Sequence, residues 1–294
     1  MDSPRPQYNR TNVRFSHHAV RATFRALTPI PSLSSELAAW LWYQPPRAPM
    51  RPEQRDWLER AERSSFSAAG TEVAAYSWGS GPPVLLVHGW GGHAGQLTTF
   101  VPQLLEKGFR AVAFDGPRHG ATKGGDPTVL SFAEAARALA SRLGGVEAVI
   151  AHSMGGSASA YAMSRGLETR RAVLLAPAAS VAGVAERFAQ MVALDPRGLE
   201  RMRRKFETSF GVHWDELDVI RSAHEMSARL LLVHDKEDPD VPYAEAQAIV
   251  GAWPSATLLT TEGLGHHRIL WDPEVIRRSI AFLSQPIDPF GNSG

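Results

Sequence analysis

The sequence predicts an α/β protein built on a doubly wound, mostly parallel sheet, and three observations support this prediction. Short apolar runs bounded by Gly, Pro, Asp or His recur along the chain, which is typical of strands buried on both faces of a parallel sheet. Segments of helical periodicity separate most of these runs and indicate right-handed crossover connections. The 294 residues, 44% of them hydrophobic, suffice to bury one full α/β core.

The overall composition excludes several classes of function. A formal net charge of +1 indicates neither nucleic-acid nor membrane binding. The chain contains no cysteine, which excludes disulfides, thiolate nucleophiles and cysteine-based zinc sites. No run approaches the roughly 18 apolar residues of a membrane span, and the N-terminus lacks the apolar region of a signal peptide. We therefore expect a cytoplasmic location, no nucleic-acid partner and no stable membrane insertion.

Residues 1–65 differ from the rest of the chain because they are rich in proline and arginine. We interpret them as an N-terminal extension that is helical in part and packs on the core. An apolar cluster that includes Trp40 and Trp42 predicts one such helix, with Ser34 or Ser35 as its cap. The two tryptophans are expected to pack on the main domain rather than on lipid. The alternative is that they form a homo-oligomer contact.

The pattern becomes regular from residue 70. An edge-type strand is expected at residues 73–78, where a Gly- and Pro-rich stretch ends it. The buried strands that follow are expected at residues 84–87, 111–114, 148–151, 173–176, 230–233 and 257–259. The helices between them are expected at residues 97–107, 132–143 and 157–165.

One connection, after the apolar run at residues 173–176, is far longer than the others. About fifty residues separate this run from the next one, and a structureless loop of that length is improbable. Phenylalanine and methionine residues recur within it at helical spacing. We therefore predict a small helical lid at residues 180–226, with the core formed by residues 66–179 and 227–294.

A strand-to-helix turn at Ser153 carries the clearest catalytic pattern. A serine on so sharp a turn projects its hydroxyl out of the sheet, and the turn closes only if the residues two before and two after are small. Ala151 and Gly155 meet this need, although Ala151 departs from the glycine of G-x-S-x-G. The helix N-terminus also favours a developing negative charge. The pattern predicts a nucleophile, and the alternative is an ordinary serine in a glycine-rich turn.

A glycine-rich loop, H-G-W-G-G at residues 88–92, directly follows an earlier strand. Acyl transfer develops an oxyanion that needs two preorganised N–H donors. We expect the backbone N–H groups of Trp90 and Met154 to supply them, whereas the alternative is a turn that binds no ligand. The residues expected to shape these loops are His88, Gly89, Gly91, His152 and Gly155.

Three motifs occur in an order that resembles the α/β-hydrolase superfamily: H-G-W-G-G at residues 88–92, D-G-P-R-H-G at residues 115–120 and H-S-M-G at residues 152–155. The resemblance is strongest to esterase-like members and extends over roughly residues 70–283. It implies the α/β-hydrolase fold, in which the lid predicted from the long connection would be inserted after the sixth strand. It also implies that the second motif, which includes His119, is structural, and that a triad follows in the chain order serine, acid, histidine.

The same resemblance selects the other two members of the triad. It sets the acid after a late strand and before P-x-V-P, which favours Asp238 over Asp235 and Asp240. It sets the histidine after the last strand, where His266 follows G-L-G and the adjacent His267 is the alternative. The aspartate would fix the imidazole tautomer and stabilise the imidazolium, and the histidine would act as the general base.

These residues together predict a serine hydrolase that cleaves carboxylic esters through an acyl-enzyme intermediate. The expected partner is a small-molecule ester with an apolar group, because Trp90 and the apolar residues of the lid would lie near the reaction centre. The alternatives are an acyltransferase or a thioesterase on the same triad and a non-catalytic ligand-binding member of the fold. The sequence has neither a metal-binding spacing nor a dinucleotide motif, so no metal and no cofactor are expected.

Overall fold

The computed structural model of the protein describes residues 11–286, with side chains described from residue 18 onward. The chain forms two compact units. The larger unit consists of Tyr43–Val181 and the described residues from Asp215 onward, and the smaller unit of the described residues up to Trp42 and Ala182–Trp214. The predicted domain limits at residues 65, 179 and 226 stay predictions.

An eight-stranded, mostly parallel sheet forms the centre of the larger unit and confirms the predicted fold class. Its strands are, in chain order, β1 (Glu62–Ala68), β2 (Thr71–Trp78), β3 (Pro83–Val87), β4 (Arg110–Phe114), β5 (Ala148–His152), β6 (Arg171–Leu175), β7 (Arg229–Asp235) and β8 (Ala256–Thr261). Their spatial order is β1-β2-β4-β3-β5-β6-β7-β8. Strand β2 is antiparallel to both of its neighbours, and all the other neighbouring pairs are parallel.

The structure adds one strand, β1, that the apolar pattern does not predict. Its first four residues are exposed, and only Phe66 and Ala68 are buried. Because β1 lies at the edge of the sheet and pairs with β2 alone, it needs few apolar residues. The other seven strands lie within two residues of their predicted limits at each end. The expectation that residues 73–78 form an edge strand is wrong, because β1 pairs with β2 and takes the edge position.

The helices are, in chain order, α1 (Thr11–Leu27), α2 (Pro31–Trp42), α3 (Pro52–Glu59), α4 (Val101–Glu106), α5 (Val129–Arg142), α6 (Met154–Ser164), α7 (Val181–Val192), α8 (Pro196–Phe210), α9 (Val219–Ala223), α10 (Tyr243–Ala252), α11 (Gly265–Arg268) and α12 (Pro273–Leu283). Two short 3₁₀ helices lie at Ala94–Phe100 and Trp214–Leu217. The three helices predicted between strands form, and each helical segment begins three residues earlier than predicted.

The core of the larger unit lies on both faces of the sheet. Leu85 and Leu86 are adjacent in β3 and both fully buried, and they belong to two different apolar clusters. Successive side chains of a strand point to opposite faces, so helices must cover both sides. Burial on both faces of the sheet therefore explains the continuous apolar runs of the sequence, as predicted.

The smaller unit is helical and joins the N-terminal helices to the insertion after β6. Helix α2 packs against α8, and the Trp42 ring meets the Phe188 ring edge-on, with centroids 5.1 Å apart. The expectation that Ser34 or Ser35 caps α2 is wrong, because the helix begins at Pro31. Their hydroxyls donate instead to carbonyl groups three residues earlier in the same helix.

The insertion after the sixth strand is helical, as predicted, and its function as a lid stays a prediction. It contains α7, α8 and α9. Within residues 11–286, no helix combines the length and the apolar character that a membrane crossing requires.

Replacing Trp253 with alanine is expected to lower the free energy of unfolding by about 3–5 kcal/mol, because it leaves a large cavity in the core. Trp253 is 1% exposed, and its indole N–H donates to the Ala228 carbonyl at 2.8 Å. Trp40→Ala is the matched control, since Trp40 is 59% exposed; its effect should stay within about 0.5 kcal/mol. Urea denaturation measures both, and equal losses would contradict this assignment of core and surface.

Candidate active site

Three predicted site residues lie beyond the carboxyl ends of strands β5, β7 and β8. Ser153 follows β5, Asp238 follows β7, and His266 lies in α11 after β8. These strands run parallel, so their carboxyl ends share one edge of the sheet. In such sheets this edge is where binding crevices form. The topology therefore brings together loops that are far apart in the sequence.

Ser153, His266 and Asp238 form a hydrogen-bonded row. The distance from His266 Nδ1 to Asp238 Oδ2 is 2.8 Å, and the distance from His266 Nε2 to Ser153 Oγ is 2.9 Å. A neutral imidazole that donates its Nδ1–H to the carboxylate presents Nε2 as an acceptor for the serine hydroxyl. The arrangement can therefore remove a proton from Ser153.

The backbone of Ser153 adopts a strained conformation, with φ 52° and ψ −126°. A positive φ is uncommon for a residue with a side chain, and it persists only where the surroundings enforce it. The Ser153 N–H donates to the Leu175 carbonyl at 2.9 Å. A Cβ atom on Gly155 would stand 2.3 Å from the His88 carbonyl oxygen. The turn therefore requires glycine at this predicted loop-shaping position.

The Asp238 side chain is fully buried, and both of its oxygens accept hydrogen bonds. Its Oδ1 accepts the backbone N–H groups of Asp240 and Val241 at 2.8 and 2.9 Å. Burial by itself raises the pKa of Asp238, but the hydrogen bonds from His266 and from these amides outweigh it and hold the pKa below its ordinary value. The carboxylate is therefore charged at neutral pH and can stabilise an imidazolium.

The alternative acids and the alternative histidine have other surroundings. Asp235 accepts the Thr261 hydroxyl at 2.7 Å and the Leu264 N–H at 2.9 Å, so it fastens β7 to the loop that leads to His266. Asp240 is exposed and lies 3.8 Å from His267, whose side chain is 63% exposed. The geometry thus favours Asp238 and His266 over the three alternatives.

The predicted oxyanion donors are backbone N–H groups that remain available. The Gly91 N–H donates to His119 at 2.8 Å and the Gly92 N–H to the Gly89 carbonyl at 3.1 Å. Within residues 11–286, the N–H groups of Trp90 and Met154 donate to no protein acceptor. Met154 opens α6, where the first N–H groups lack intrahelical partners. Both predicted donors are therefore free to bind an anion.

Gly89 lets the loop that carries Trp90 approach the nucleophile closely. A Cβ atom on Gly89 would stand 2.9 Å from Ser153 Cβ, which is closer than real Cβ atoms come. The predicted loop-shaping role of this glycine therefore has a steric basis. It allows the Trp90 backbone to lie beside Ser153.

His88 orients the peptide group that contains the Trp90 N–H. Its Nδ1–H donates to the Gly89 carbonyl at 2.7 Å, and its Nε2 accepts the Gly116 N–H at 2.9 Å. The Gly89 carbonyl belongs to the same peptide group as the Trp90 N–H, and hydrogen bonds to a carbonyl polarise the attached N–H. Burial lowers the pKa of His88 well below its ordinary value, so the ring stays neutral and keeps its acceptor.

The loop after β4 contributes two residues that the sequence did not assign to the site. His119 accepts the Gly91 N–H through Nε2 and donates its Nδ1–H to the Pro117 carbonyl at 2.8 Å. The Asp115 carboxylate accepts the N–H groups of Ala94 and Ala121, each at 2.8 Å. The D-G-P-R-H-G motif was the available signal for both, but each also binds an N–H group in the segment after β3, that of Gly91 or that of Ala94.

His152 connects the nucleophile turn to the loop of the candidate base. Its Nε2–H donates to the backbone carbonyl of His266 at 2.9 Å. The two imidazole rings lie with their centroids 4.8 Å apart. Burial, followed by the neighbouring His266 ring, lowers the pKa of His152 well below its ordinary value. The ring is therefore a neutral structural link in the site.

A group of potential metal ligands overlaps the row of catalytic candidates. Asp238, Asp240 and His266 each have one ligand atom within 4.8 Å of the others. However, Asp238 Oδ2 and His266 Nδ1 are hydrogen-bonded to each other. The carboxylate of Asp238 and the imidazole of His266 are therefore arranged to share a proton.

The fold agrees with the comparisons with known proteins. A family model described as the alpha/beta hydrolase family matches residues 84–278, and the chain belongs to this family. An esterase of Pyrococcus furiosus is 20% identical over 82% of this chain and 96% of its own, with a TM-score of 0.63. An esterase from Exiguobacterium antarcticum is 16% identical over 76% of this chain and 100% of its own, with a TM-score of 0.60. At these identities the two structures show a shared fold.

Two curated proteins are similar to shorter parts of the chain. The pimeloyl-[acyl-carrier protein] methyl ester esterase of Methylococcus capsulatus is 50% identical over 42 residues, which are 14% of this chain and 16% of that protein. A non-heme haloperoxidase of Rhodococcus erythropolis is 32% identical over 99 residues, or 33% of this chain and 36% of that protein. The chain thus matches well under half the length of either relative.

The free energy of unfolding is expected to fall as the pH is lowered from 7 to 5. Burial lowers the pKa of His88, His119 and His152 in the folded protein. In the unfolded chain their pKa is about 6.5. Below that pH the unfolded state therefore binds protons that the folded state does not, and stability that is complete above pH 6.5 is lost on acidification. Urea denaturation at several pH values measures the slope.

The variant His152→Gln isolates the contribution of one of these histidines to the pH dependence of the unfolding free energy. Glutamine retains an N–H donor for the His266 carbonyl but has no proton to gain. The unfolding free energy of the His152→Gln variant should depend on pH less steeply than that of the wild type, by up to about 1.4 kcal/mol per pH unit below pH 6. Identical slopes for the two proteins would show that His152 does not titrate on unfolding.

Proposed function

We propose that the protein is a serine hydrolase that cleaves carboxylic esters through an acyl-enzyme intermediate. The observation that carries the proposal is the hydrogen-bonded row of Ser153, His266 and Asp238, with distances of 2.9 and 2.8 Å. Membership of the alpha/beta hydrolase family and the esterases among the similar structures support it.

In the acylation step, Ser153 Oγ attacks the ester carbonyl carbon while its proton passes to His266 Nε2. The carbonyl oxygen gains negative charge, which the N–H groups of Trp90 and Met154 stabilise. The imidazolium of His266 is held by Asp238. When the tetrahedral intermediate collapses, His266 returns the proton to the departing alkoxide, and the acyl group remains on Ser153.

In the deacylation step, water takes the place of the departed alcohol. His266 accepts a proton from this water, whose oxygen attacks the acyl carbonyl carbon. The same two N–H groups stabilise the second oxyanion. Collapse of this intermediate breaks the bond to Ser153 Oγ, which regains its proton from His266, and a carboxylic acid leaves.

We further propose a small-molecule ester with an apolar group as the substrate. Trp90 is 40% exposed, although large apolar side chains are usually buried, and it belongs to the loop that lies against Ser153. Its indole can therefore contact an apolar acyl or alcohol group. An acyltransferase would use the same residues with an alcohol in place of water, and product analysis with added alcohols distinguishes the two.

Ser153→Ala is expected to lower kcat for p-nitrophenyl esters by at least about 1000-fold and to abolish labelling by a fluorophosphonate, because the nucleophile is gone. Ser164→Ala is a matched control on the same helix, α6, where its hydroxyl only donates to the Tyr161 carbonyl. Mass spectrometry of the labelled protein and steady-state kinetics provide the readouts. Undiminished turnover by Ser153→Ala would reject the assignment.

Asp238→Asn is expected to lower kcat by about 10⁴-fold, because an amide no longer fixes the productive tautomer of His266. Asp240→Asn is the control, since its exposed carboxylate faces His267 instead, and kcat should change little. His266→Ala and His267→Ala form a second pair with the same expected contrast. Equal losses of kcat for the two variants of either pair would contradict the proposed roles of Asp238 and His266.

A further inference from the structure

A proline-rich segment of the N-terminal extension lies against the loop of the candidate oxyanion donor. This segment, the strap, comprises residues 43–50 and belongs to the larger unit. It precedes the part of the chain that the family model matches, which begins at residue 84. The family relationship therefore does not account for it.

The strap contacts Gly91 through backbone groups. The Ala48 N–H donates to the Gly91 carbonyl at 3.0 Å. Gly91 has a φ of +74°, and a Cβ atom there would stand 2.9 Å from both the carbonyl oxygen and the ring of Pro46. The absence of a side chain thus allows the strap to lie directly on the loop.

The hydrogen bond from the strap completes a series along three consecutive peptide groups. The group between Gly89 and Trp90 is held through its carbonyl by His88. The next group is held through the Gly91 N–H by His119. The third is held through the Gly91 carbonyl by Ala48. The Trp90 N–H belongs to the first group, and the third group is linked to the first because the Gly92 N–H donates to the Gly89 carbonyl at 3.1 Å.

The strap is itself anchored at both ends to the larger unit. The Arg118 guanidinium donates to the Tyr43 carbonyl at 3.3 Å. Arg51, the residue after the strap, lies over the Trp271 ring at 3.9 Å and donates its N–H to Gln54 at 3.0 Å. The prolines further restrict the conformations open to the segment. It can therefore act as a rigid brace.

We infer that the strap positions the oxyanion site by holding Gly91, with Ala48 as the positioning residue. This inference depends on the proposed hydrolase function. The strap meets the loop at Gly91. Its effect passes through the Gly91 backbone to the Trp90 N–H, which must meet the oxygen that becomes charged in the transition state. The inference also assigns a purpose to part of the N-terminal extension.

Ala48→Pro tests the inference because proline has no backbone N–H. The residue precedes Pro49, which already favours extended backbone there. Turnover of p-nitrophenyl butyrate is expected to fall about tenfold in kcat with little change in KM, a smaller loss than the roughly 100- to 1000-fold of a deleted oxyanion donor. Affinity for an alkyl boronic acid, whose adduct with Ser153 presents an oxygen to the same donors, should fall by a similar factor.

Arg47→Pro is the matched control, since it adds a proline to the strap and keeps the Ala48 N–H. Its kcat and its boronic acid affinity should stay close to the wild type. Thermal unfolding of both variants shows whether they are folded. If Ala48→Pro does not fold, Pro46→Gly replaces it with Pro45→Gly as its control, and the same selective loss of kcat is expected.

Two failures are distinguishable. A wild-type protein that neither hydrolyses the ester nor binds the boronic acid would reject the proposed function. An active wild type with equal kcat in the test and control variants would overturn the role of the strap. The role of the strap would also be overturned if Ala48→Pro lost thermal stability while its kcat and its boronic acid affinity remained unchanged.

Discussion

The close approach of two turns at the ends of β3 and β5 is the constraint on which the candidate site depends. The two strands are neighbours, with Val87 opposite Ala151. Beyond them, Gly155 lies so near the carbonyl groups of Val87 and His88 that a Cβ would stand 2.6 and 2.3 Å away. Any larger residue would separate the turn that carries Ser153 from the loop that carries Trp90. Ser153 and the two candidate amide donors are adjacent only because this space is empty.

Neutral imidazoles fasten the loops around that contact. His88 and His119 each donate from one ring nitrogen and accept a backbone N–H at the other, and they join the loops after β3 and β4. A protonated ring has two donors and no acceptor, so it would face an N–H that it could not bind. The burial that lowers the pKa of both residues therefore preserves the acceptors that hold the oxyanion loop.

Features that are determined by neighbouring residues in the sequence could be predicted, whereas features that depend on residues far away in the chain could not. The strands of the parallel sheet have continuous apolar runs, and Ser153 sits in a recognisable turn motif. In contrast, β1 is an exposed edge strand with a mostly polar sequence. The choice between His266 and His267 also required coordinates, because adjacent side chains diverge and only the imidazole of His266 meets both Asp238 and Ser153.

The residues that sequence reasoning missed act mainly through their backbone partners. His119 and Asp115 bind N–H groups in other loops, and Ala48 offers only its own N–H. Any residue except proline could supply that N–H, so the residue type at position 48 does not indicate the contact. The residue type at position 91 does indicate it, because the positive φ of Gly91 and its contact with Pro46 exclude a side chain. The requirement for glycine at position 91 of the H-G-W-G-G motif thus reflects a segment some forty residues earlier in the chain, and in this protein the loop at residues 88–92 and the N-terminal strap pack as one structural element.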